Sequence, residues 1–366
     1  MKFTIQREAL LRPLQLISGV VERRQTLPIL SNVMLKADAD RLTMTATDLE
    51  VELVVSTSLD GTEAGATTLP ARKFMDICRA LPESATLEIK VDKERASIRS
   101  GKSRFVLATL PVTEFPAVDE IRPTLRFSIG QGKLKKLIER TQFAMAHQDV
   151  RYYLNGLMLE VSRGELHAVA TDGHRLAFCQ AKSFIEVDEN QQIIVPRKGI
   201  MELQKLLGDS EDEVEIEIGS NHLRMSTVDI RFTTKLIDGR FPDYQRVIPQ
   251  NTDKFLIANR EELRQAVLRT SILTNEKYRS IRFQLEPNVL RVLAHNPEQE
   301  EAEEEVSIDY AGASLEIGFN STYILDALVA VADGNVEIRF LDANSCCLIH
   351  APGADDCKYV VMPMRL

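Results

Sequence analysis

The sequence predicts an α+β protein built from three tandem copies of one domain, each with two helices on antiparallel sheets. Two observations carry this prediction: a long internal repeat, and an order of helix, strands, helix, strands that recurs in every copy. Few helices among many short strands indicate antiparallel sheets with the helices grouped on one face. A repeat of this length corresponds to a whole domain, because solenoid repeats are far shorter.

The repeat is visible when the 366-residue chain is shifted by 124 positions against itself. The shift superimposes Leu30, Met34, Leu35, Leu42, Ala46, Thr47 and Asp48 on Leu154, Met158, Leu159, Leu166, Ala170, Thr171 and Asp172. A second shift of 124 positions reaches Phe283, Leu290, Ala294 and Asn296, with the apolar pattern retained. We therefore expect boundaries near residues 120 and 247, and domains over residues 1–120, 121–247 and 248–366.

Apolar residues at helical spacing predict the helices, and alternating or β-branched runs predict the strands between them. In the first copy, helices are expected over residues 7–20 and 72–81, with a strand over residues 51–55. A helix is expected over residues 131–146 in the second copy and over residues 321–332 in the third.

Composition excludes several classes of protein. No run approaches the roughly 18 apolar residues of a membrane span, and the first residues lack the apolar core of a signal peptide, so a cytoplasmic protein is expected. There is no Trp, so base stacking is not expected to dominate binding. The cysteines form no C-x-x-C pair and are expected to be reduced thiols. They are Cys78, Cys179, Cys346, Cys347 and Cys357.

Basic side chains gather on the predicted helices although the net charge is −9. Lys133, Lys136 and Arg140 form a stripe opposite the apolar side of their helix. Five of the six predicted helices carry such charges. The basic residues on the other four of these helices are Arg7, Arg12, Arg72, Lys73, Arg79, Arg197, Lys198, Lys205, Arg260 and Arg264. Solvation explains any single helix, but the recurrence favours contact with nucleic-acid phosphates, without sequence specificity and with strong salt dependence.

Two segments of opposite charge lie in the first and third copies. Residues 298–305 hold six acidic side chains in eight positions, and residues 99–104 read Arg-Ser-Gly-Lys-Ser-Arg before a strand-like run. Opposite charges at opposite ends of a repeat array fit a head-to-tail interface, which closes into a ring if the rotation permits.

No motif predicts catalysis. Residues 100–103 (SGKS) match the end of a P-loop, but Ala96 replaces its first glycine and a strand follows where a helix is required. Two rival functions stay open at this point. One is a nuclease or nucleotidyltransferase with helices facing DNA, and the other is a scaffold whose basic stripes serve solvation.

A metal site is the weaker of two explanations for His167, Asp172 and His174, because no ligand framework supports it. The alternative is that residues 171–176 form a shaped turn, since Asp48 holds the equivalent place in the first copy. We expect neither a metal nor a cofactor.

Six segments spread over the chain form a distinctive set. They are residues 152–156 (YYLNG), 170–176 (ATDGHRL), 196–199 (PRKG), 238–244 (DGRFPDY), 296–304 (NPEQEEAEE) and 360–366 (VVMPMRL). Together they resemble the beta sliding clamp family of bacterial DNA polymerase III, over the whole chain. The resemblance implies a non-catalytic processivity subunit, nucleoid-associated in the cytoplasm. It also implies a head-to-tail homodimer whose six domains form a ring around duplex DNA, with helices facing the hole.

The resemblance also implies two sets of contact residues. For DNA, including primer-template junctions, they are Arg24, Arg72, Gln148, Arg151, Tyr152, Tyr153, Arg197 and Lys198. For the dimer interface they are Lys73, Lys102, Arg104, Phe105 and Leu107 of one chain, facing Ile272, Leu273, Glu298, Glu300, Glu301, Glu303 and Glu304 of the other.

A pocket for a short peptide of partner proteins is the third implied site. The partners would be the polymerase catalytic subunit, the clamp loader, repair and translesion polymerases, ligase and mismatch-repair proteins. The lining residues would be Leu154, Thr171, Gly173, His174, Arg175, Leu176, Pro242, Arg246, Val247, Tyr323, Val360, Met362, Pro363 and Met364. Asn344 and Cys346 depart from the family pattern at the edge of this pocket.

Overall fold

The computed structural model describes residues 1–21, 27–59, 61–116, 121–187, 189–250, 252, 254–332 and 334–365. Arg24, expected to contact DNA, and the predicted boundary at residue 120 lie outside the described residues. No helix in the described ranges has the length and apolar character needed to cross a membrane.

Short strands and six α-helices alternate along the described chain. The helices are α1 (Arg7–Ile17), α2 (Ala71–Ala80), α3 (Gln131–Glu139), α4 (Arg197–Leu206), α5 (Arg260–Thr270) and α6 (Ser321–Ala330). The strands are β1 (Lys2–Gln6), β2 (Asn32–Ala37), β3 (Arg41–Thr47), β4 (Val51–Ser58), β5 (Thr62–Glu63), β6 (Gly65–Pro70), β7 (Thr86–Asp92), β8 (Arg95–Ser100), β9 (Ser103–Ala108), β10 (Leu125–Gly130), β11 (Gly156–Ser162), β12 (Glu165–Thr171), β13 (Arg175–Lys182), β14 (Gln191–Pro196), β15 (Glu213–Ile218), β16 (His222–Ser226), β17 (Ile230–Lys235), β18 (Lys254–Asn259), β19 (Ser280–Glu286), β20 (Val289–His295), β21 (Glu301–Asp309), β22 (Leu315–Asn320), β23 (Asn335–Phe340), β24 (Cys347–His350) and β25 (Cys357–Val361).

The predicted helices are confirmed, but the one expected over residues 131–146 is too long. It ends at Glu139, and a short 3-10 turn follows at Gln142–Ala144. The Thr141 hydroxyl donates to the Leu137 carbonyl oxygen at 2.6 Å, and the Thr141 amide donates to the Ile138 carbonyl. A hydroxyl that donates to the carbonyl four residues earlier competes with the backbone hydrogen bonds of the helix, and such competition often bends a helix.

Long-range contacts divide the chain into two compact units. Unit 1 comprises Met1–Gly132 and Lys198–Leu236, and unit 2 comprises Lys133–Arg197 and Ile237–Leu366. Each unit therefore holds one terminal copy of the repeat together with part of the middle copy.

In unit 1, a five-stranded sheet runs in the order β5-β1-β7-β8-β9, and an eight-stranded sheet in the order β10-β15-β16-β17-β4-β3-β2-β6. The larger sheet joins four strands of the middle copy to four of the first. The joint, which we call the first seam, pairs β17 with β4 antiparallel, from Ile230 opposite Val55 to Thr234 opposite Val51.

In unit 2, a single twelve-stranded sheet runs in the order β14-β11-β12-β13-β25-β24-β23-β18-β21-β20-β19-β22. Its joint between the middle and third copies, the second seam, pairs β13 with β25 antiparallel, from Arg175 opposite Val361 to Cys179 opposite Cys357. Both seams join the strand after the repeated turn of one copy to the last strand of the following copy.

Helices cover the apolar face of the sheets and form the core with it. Leu10 and Leu14 of α1 and Phe74 of α2 are buried in unit 1. Leu263 of α5 and Ile324 of α6 are their counterparts in unit 2, where the two helices pack together. Burial at every third or fourth position is the arrangement that the apolar spacing of these helices predicts.

The expectation that all five cysteines are reduced thiols is wrong for two of them. Cys179 and Cys357 form a disulfide, with Cα atoms 4.1 Å apart. They are 178 residues apart in sequence, and the register of the second seam places them directly opposite each other. Spacing along the chain could not reveal a pair that depends on this register. Cys78, Cys346 and Cys347 are free.

Candidate binding surfaces

The first and second copies contain the same turn. This is the shaped turn that the sequence predicts as the alternative to a metal site. In the second copy, Asp172 Oδ1 accepts hydrogen bonds from the His174 and Arg175 amides at 2.9 and 3.0 Å. The hydroxyl of Thr171 donates to the Arg175 carbonyl oxygen at 2.6 Å, and Gly173 has φ +88°.

The first copy reproduces each contact 124 positions earlier. Asp48 Oδ1 accepts from Glu50 N and Val51 N at 2.9 and 2.7 Å, and the Thr47 hydroxyl donates to the Val51 carbonyl. Leu49, with φ +79°, takes the left-handed conformation that glycine adopts at the equivalent place. The Thr-Asp pair that both copies share at residues 47–48 and 171–172 therefore shapes the turn, and the shaped-turn explanation is confirmed.

Arg175 connects this turn to unit 2's helix α6. Its guanidinium donates to Asp172 Oδ2 at 3.1 Å, to Asp326 Oδ2 at 2.5 Å and to the Phe143 carbonyl oxygen at 2.7 Å. It also lies 4.5 Å from the ring centroid of Tyr323, a cation–π contact. The arginine side chain is 12% exposed, so it supports the surface more than it presents a free charge.

A hydrophobic cluster lies beside this turn, and several residues expected in the peptide pocket belong to it. Leu154, Leu176 and Val360 are buried in one cluster with Phe241 and Tyr244. The cluster also contains Ala146, Met158, Val169, Phe178, Ile194 and Leu348, with Tyr153, Ile237, Ile248 and Cys346 packed against it.

Other residues expected in the pocket form a more exposed rim. Met362 and Val247 are 43% and 40% exposed, and the Met362 amide donates to the His174 carbonyl oxygen at 2.9 Å. Arg246 pairs with Asp243 at 2.8 Å. Pro242, Gly173 and His174 are exposed, whereas Thr171, Pro363, Met364 and Tyr323 are half-buried.

A buried polar network supports the cluster, and sequence reasoning missed its role. The Tyr244 hydroxyl donates to Glu160 Oε2 at 2.8 Å and lies 3.4 Å from His167 Nδ1. The other ring nitrogen of His167, Nε2, is 3.1 Å from Glu165 Oε2. Burial first, and then the Glu160 carboxylate, raises the pKa of Tyr244 to about 12. The available signal was Glu160, a lone acid in the apolar strand β11.

Residues expected to contact DNA occur in both units. In unit 1, Arg72 is exposed on α2, and Lys198 on α4 donates from Nζ to Asp48, whose side chain is 4% exposed. In unit 2, Arg197 donates to the Met145 carbonyl oxygen at 3.2 Å. Hence the two neighbouring cations of α4 already have protein partners.

The remaining candidates follow α3 in unit 2. Gln148 has φ +56°, and Tyr152 is 60% exposed with its ring 6.1 Å from that of Tyr153. Arg151 donates to the Asp149 carboxylate, which lowers the pKa of Asp149 to about 2. This segment therefore presents the rings of Tyr152 and Tyr153, together with an Arg151 guanidinium whose charge Asp149 partly neutralises.

The predicted basic stripe of α3 is only partly available. Lys133 and Lys136 are exposed, whereas Arg140 is half-buried and lies 3.4 Å from Asp356 Oδ2. The Arg140 amide still donates to the Lys136 carbonyl oxygen, so Arg140 lies on the last turn of the helix. Among the described residues no group of three His, Cys, Asp or Glu side chains is arranged to hold a metal ion.

Two strand edges carry the residues expected at the dimer interface. In unit 1, β9 ends its sheet, with Arg104 exposed and Phe105 and Leu107 half-buried. Lys73 and Lys102 are also exposed. In unit 2, β21 pairs with β20 over Glu301–Ser307. On the other side of β21, β18 pairs with Ile308 and Asp309. Within the described residues, positions 301–307 have no strand on that side.

The acidic run is partly satisfied within its own chain. Arg269 donates to both carboxylate oxygens of Glu304, at 2.6 and 2.9 Å, and lowers the pKa of Glu304. Arg291 lies 3.6 Å from Glu303 and 2.8 Å from Glu305. Glu298, Glu300, Glu301 and Glu303 are exposed. Ile272 is 75% exposed and Leu273 half-buried.

Comparison with known families finds three matching models, which together span the chain. The N-terminal, central and C-terminal domains of the DNA polymerase III beta subunit match residues 1–119, 128–243 and 245–365. The chain is similar to the beta sliding clamps of Pseudomonas putida, with 56% identity, and Escherichia coli K12, with 49% identity. Both comparisons cover 100% of each chain.

Solved structures give the same result. A sliding clamp of Pseudomonas aeruginosa bound to griselimycin has 54% identity and a TM-score of 0.98, with 100% of each chain covered. The polymerase III beta subunit of Caulobacter crescentus has 38% identity and a TM-score of 0.93, again with 100% of each chain covered.

Proposed function

This chain belongs to the DNA polymerase III beta subunit family, the sliding clamps, and we propose that two copies of it close head to tail around duplex DNA. It has three tandem clamp domains and is a non-catalytic processivity factor. Both rival functions, a nuclease or nucleotidyltransferase and a scaffold that does not bind DNA, conflict with this family membership.

Two strand edges that have no partner among the described residues of the chain carry the proposal of a closed ring. Paired between two chains, they would form a third seam. In each copy of the repeat, one strand begins after the turn at Asp48, Asp172 or Asn296: these strands are β4, β13 and β21. The last strands of the copies are β9, β17 and β25. Because β17 pairs with β4, and β25 with β13, the strands left over are β9 and β21. A second chain supplies the missing partner for each, and two such seams close a cycle of six domains.

Charge complementarity supports pairing between these two edges. Arg104 belongs to β9, Lys102 precedes that strand, and the exposed Glu301 and Glu303 belong to β21. Phe105, Leu107 and Ile272 would add the apolar contact that a stable interface needs at its centre. The intrachain pair of Arg269 and Glu304 would remain at the rim, where exposed charges contribute little affinity.

A closed ring explains how an acidic chain can serve DNA. Topology retains the ring, so weak phosphate contacts from Arg72, Lys133 and Lys136 suffice and leave it free to slide. Lys198 and Arg197 would add a positive potential even while bonded to their protein partners. Opening would need an ATP-driven loader.

Retention on circular DNA tests this proposal directly. The protein is loaded on a nicked plasmid by an ATP-driven loader, separated from free protein by gel filtration, and the plasmid is then cut once. We expect retention on the circle and loss after cutting. As a control, bulky blocks at both ends of the cut DNA should restore retention. Equal retention on circular and unblocked linear DNA would rule the topological proposal out.

A peptide pocket at the cluster of Leu154, Leu176 and Val360 is the second part of the proposal. The cluster provides an apolar floor, and Met362 gives a flexible rim that can adapt to several sequences. Its occupants would be peptides of the polymerase catalytic subunit, the clamp loader, repair and translesion polymerases, ligase and mismatch-repair proteins. Griselimycin, bound by a relative, would occupy the same pocket.

Griselimycin binding tests the pocket with a matched control. Met362→Asp places a charge on the apolar rim, and we expect a loss of affinity of at least tenfold by calorimetry. Met201→Asp is the control, because Met201 and Met362 are each 43% exposed. If both variants bind like the unmodified protein, or both lose binding alike, the pocket lies elsewhere.

A further inference from the structure

The disulfide of the second seam lies in an unusual setting for an internal cross-link. Cys179 is fully buried, whereas Cys357 is half-buried and has a cation beside it. Arg140 Nη1 lies 3.6 Å from Cys357 Sγ and 3.4 Å from Asp356 Oδ2. On the buried side, the Tyr359 hydroxyl lies 3.6 Å from Cys179 Sγ.

We propose that Cys179 and Cys357 form a reversible redox modification site, in which Cys357 is the sulfur that reacts with external disulfides. The site is independent of the DNA and peptide functions proposed above. Two observations carry it: Cys357 is the more exposed of the two residues, and a guanidinium lies against its sulfur. A nearby cation favours the thiolate, which is the nucleophile in exchange, although Asp356 offsets part of this effect.

The reaction is thiol–disulfide exchange with a low-molecular-weight disulfide such as oxidised glutathione. The Cys357 thiolate attacks one sulfur of that molecule, forms a mixed disulfide and releases one reduced thiol. Cys179 then loses its proton and attacks Cys357 Sγ, which forms the protein disulfide and releases the second thiol. Two protein thiols are oxidised and one external disulfide is reduced to two thiols, so electrons and protons balance.

Reversibility follows from access and from compartment. Reduction begins by attack of an external thiolate at the half-buried Cys357, without prior exposure of Cys179. In the reducing cytoplasm expected from the sequence, disulfides are usually transient and serve sensing or catalysis. The partial exposure of Cys357 separates this site from a fully buried structural cross-link.

The cross-link holds the register of the second seam. Cys179 opposite Cys357 is one end of the paired region, and Leu176 opposite Val360 lies three pairs away. In the oxidised form, β13 and β25 are joined covalently as well as by backbone hydrogen bonds. In the reduced form, the hydrogen bonds and the hydrophobic cluster alone hold them together.

Two serine variants test which sulfur reacts, in a Cys346→Ser background because Cys346 is another half-buried thiol. Cys179→Ser leaves Cys357 to form a stable mixed disulfide, and Cys357→Ser leaves the buried Cys179. With oxidised glutathione, we expect mass spectrometry to find one glutathione per chain at Cys357 in the first variant. Modification of the second variant should be at least tenfold slower. Equal rates, or no modification of either folded variant, would overturn the proposal.

Reversibility is tested on the unmodified protein, so it does not depend on the folding of a variant. In buffers of increasing reduced-to-oxidised glutathione ratio, thiol counting should show two thiols per chain appearing and disappearing reversibly. The oxidised form should melt higher by roughly 5–10 °C, because the cross-link closes a long loop. A disulfide that excess reduced glutathione cannot open in the folded protein would contradict the proposal. So would a pair that never forms one.

Arg140→Gln tests the part played by the cation. We expect a several-fold slower reaction of Cys357 with oxidised glutathione in the Cys179→Ser, Cys346→Ser background, with folding checked by circular dichroism. Lys136→Gln, on the exposed side of α3, is the matched control for loss of one positive charge. Equal slowing in both variants would mean that net charge, and not the contact at 3.6 Å, governs the reaction.

Discussion

At the scale of single residues, cations that are expected to meet DNA also stabilise the protein. Lys198 is bonded to Asp48, and Asp48 in turn holds the turn that opens β4. Because the Asp48 side chain is only 4% exposed, we expect its carboxylate to depend on that partner. A charge reversal at Lys198 would therefore mix a loss of DNA contact with a loss of stability.

We predict that Lys198→Ala lowers the free energy of unfolding by about 1–3 kcal/mol, because it leaves a buried carboxylate with fewer partners. Denaturant unfolding measures the change. In an Asp48→Asn background, where the turn acceptor is kept and the charge removed, the same substitution should cost clearly less. Equal costs in both backgrounds would show that the pair is not coupled.

Tyr244 is predicted to make stability depend on alkaline pH. Its pKa is about 12 in the folded protein and 10 in the unfolded chain, so the folded state retains the phenol proton longer. The contribution is fully present below pH 10 and is lost as pH rises towards 12. Denaturant unfolding at pH 8 to 11 should show a smaller loss of stability above pH 10 in Tyr244→Phe than in the unmodified protein. Parallel curves would contradict this assignment.

At the scale of elements, the two seams inside the chain are the models for the third seam that we propose between chains. The strand pairs β17–β4 and β25–β13 are antiparallel, and each joins a last strand to a strand that follows the repeated turn. Long unpaired edges invite association, and charges on them restrict the choice of partner. We therefore expect the basic β9 and the acidic β21 to pair with each other and not with their own kind.

We predict that Phe105→Asp weakens the dimer at least tenfold, because it puts a charge at the apolar part of the β9 edge. Phe184→Asp is the control, since Phe184 is fully exposed and lies outside both edges. Sedimentation velocity over a concentration series measures the dissociation constant. An unchanged dimer in the Phe105 variant would mean that β9 is not the interface.

At the scale of the whole molecule, binding to DNA should combine weak, salt-dependent contacts with topological retention. We predict that the affinity for a short linear duplex falls linearly with the logarithm of salt concentration. Arg72→Ala should reduce that slope by about one for each chain of the ring, because each chain loses one phosphate contact. Arg95→Ala removes an exposed cation from β8 and should leave the slope unchanged. Equal effects of the two variants would place the DNA surface elsewhere.

The division of the molecule into three copies could be predicted from sequence, because the repeat keeps residues that fix turns and core positions. Asp48 and Asp172 occupy equivalent places and make the same backbone contacts. Helix positions followed from apolar spacing, except that α3 ends early. That end depends on one hydroxyl of Thr141, which competes with the helix and leaves no trace in periodicity.

Sequence alone determined the repeat, the location of the helices and the two charged segments, since these depend on residues close together in the chain. Tertiary structure decided which strands meet. It placed Cys179 against Cys357, connected Tyr244 to Glu160, and gave Lys198 and Arg140 acidic partners. Each of these contacts joins residues far apart in sequence, and their positions follow from strand register and helix packing, which local patterns do not specify.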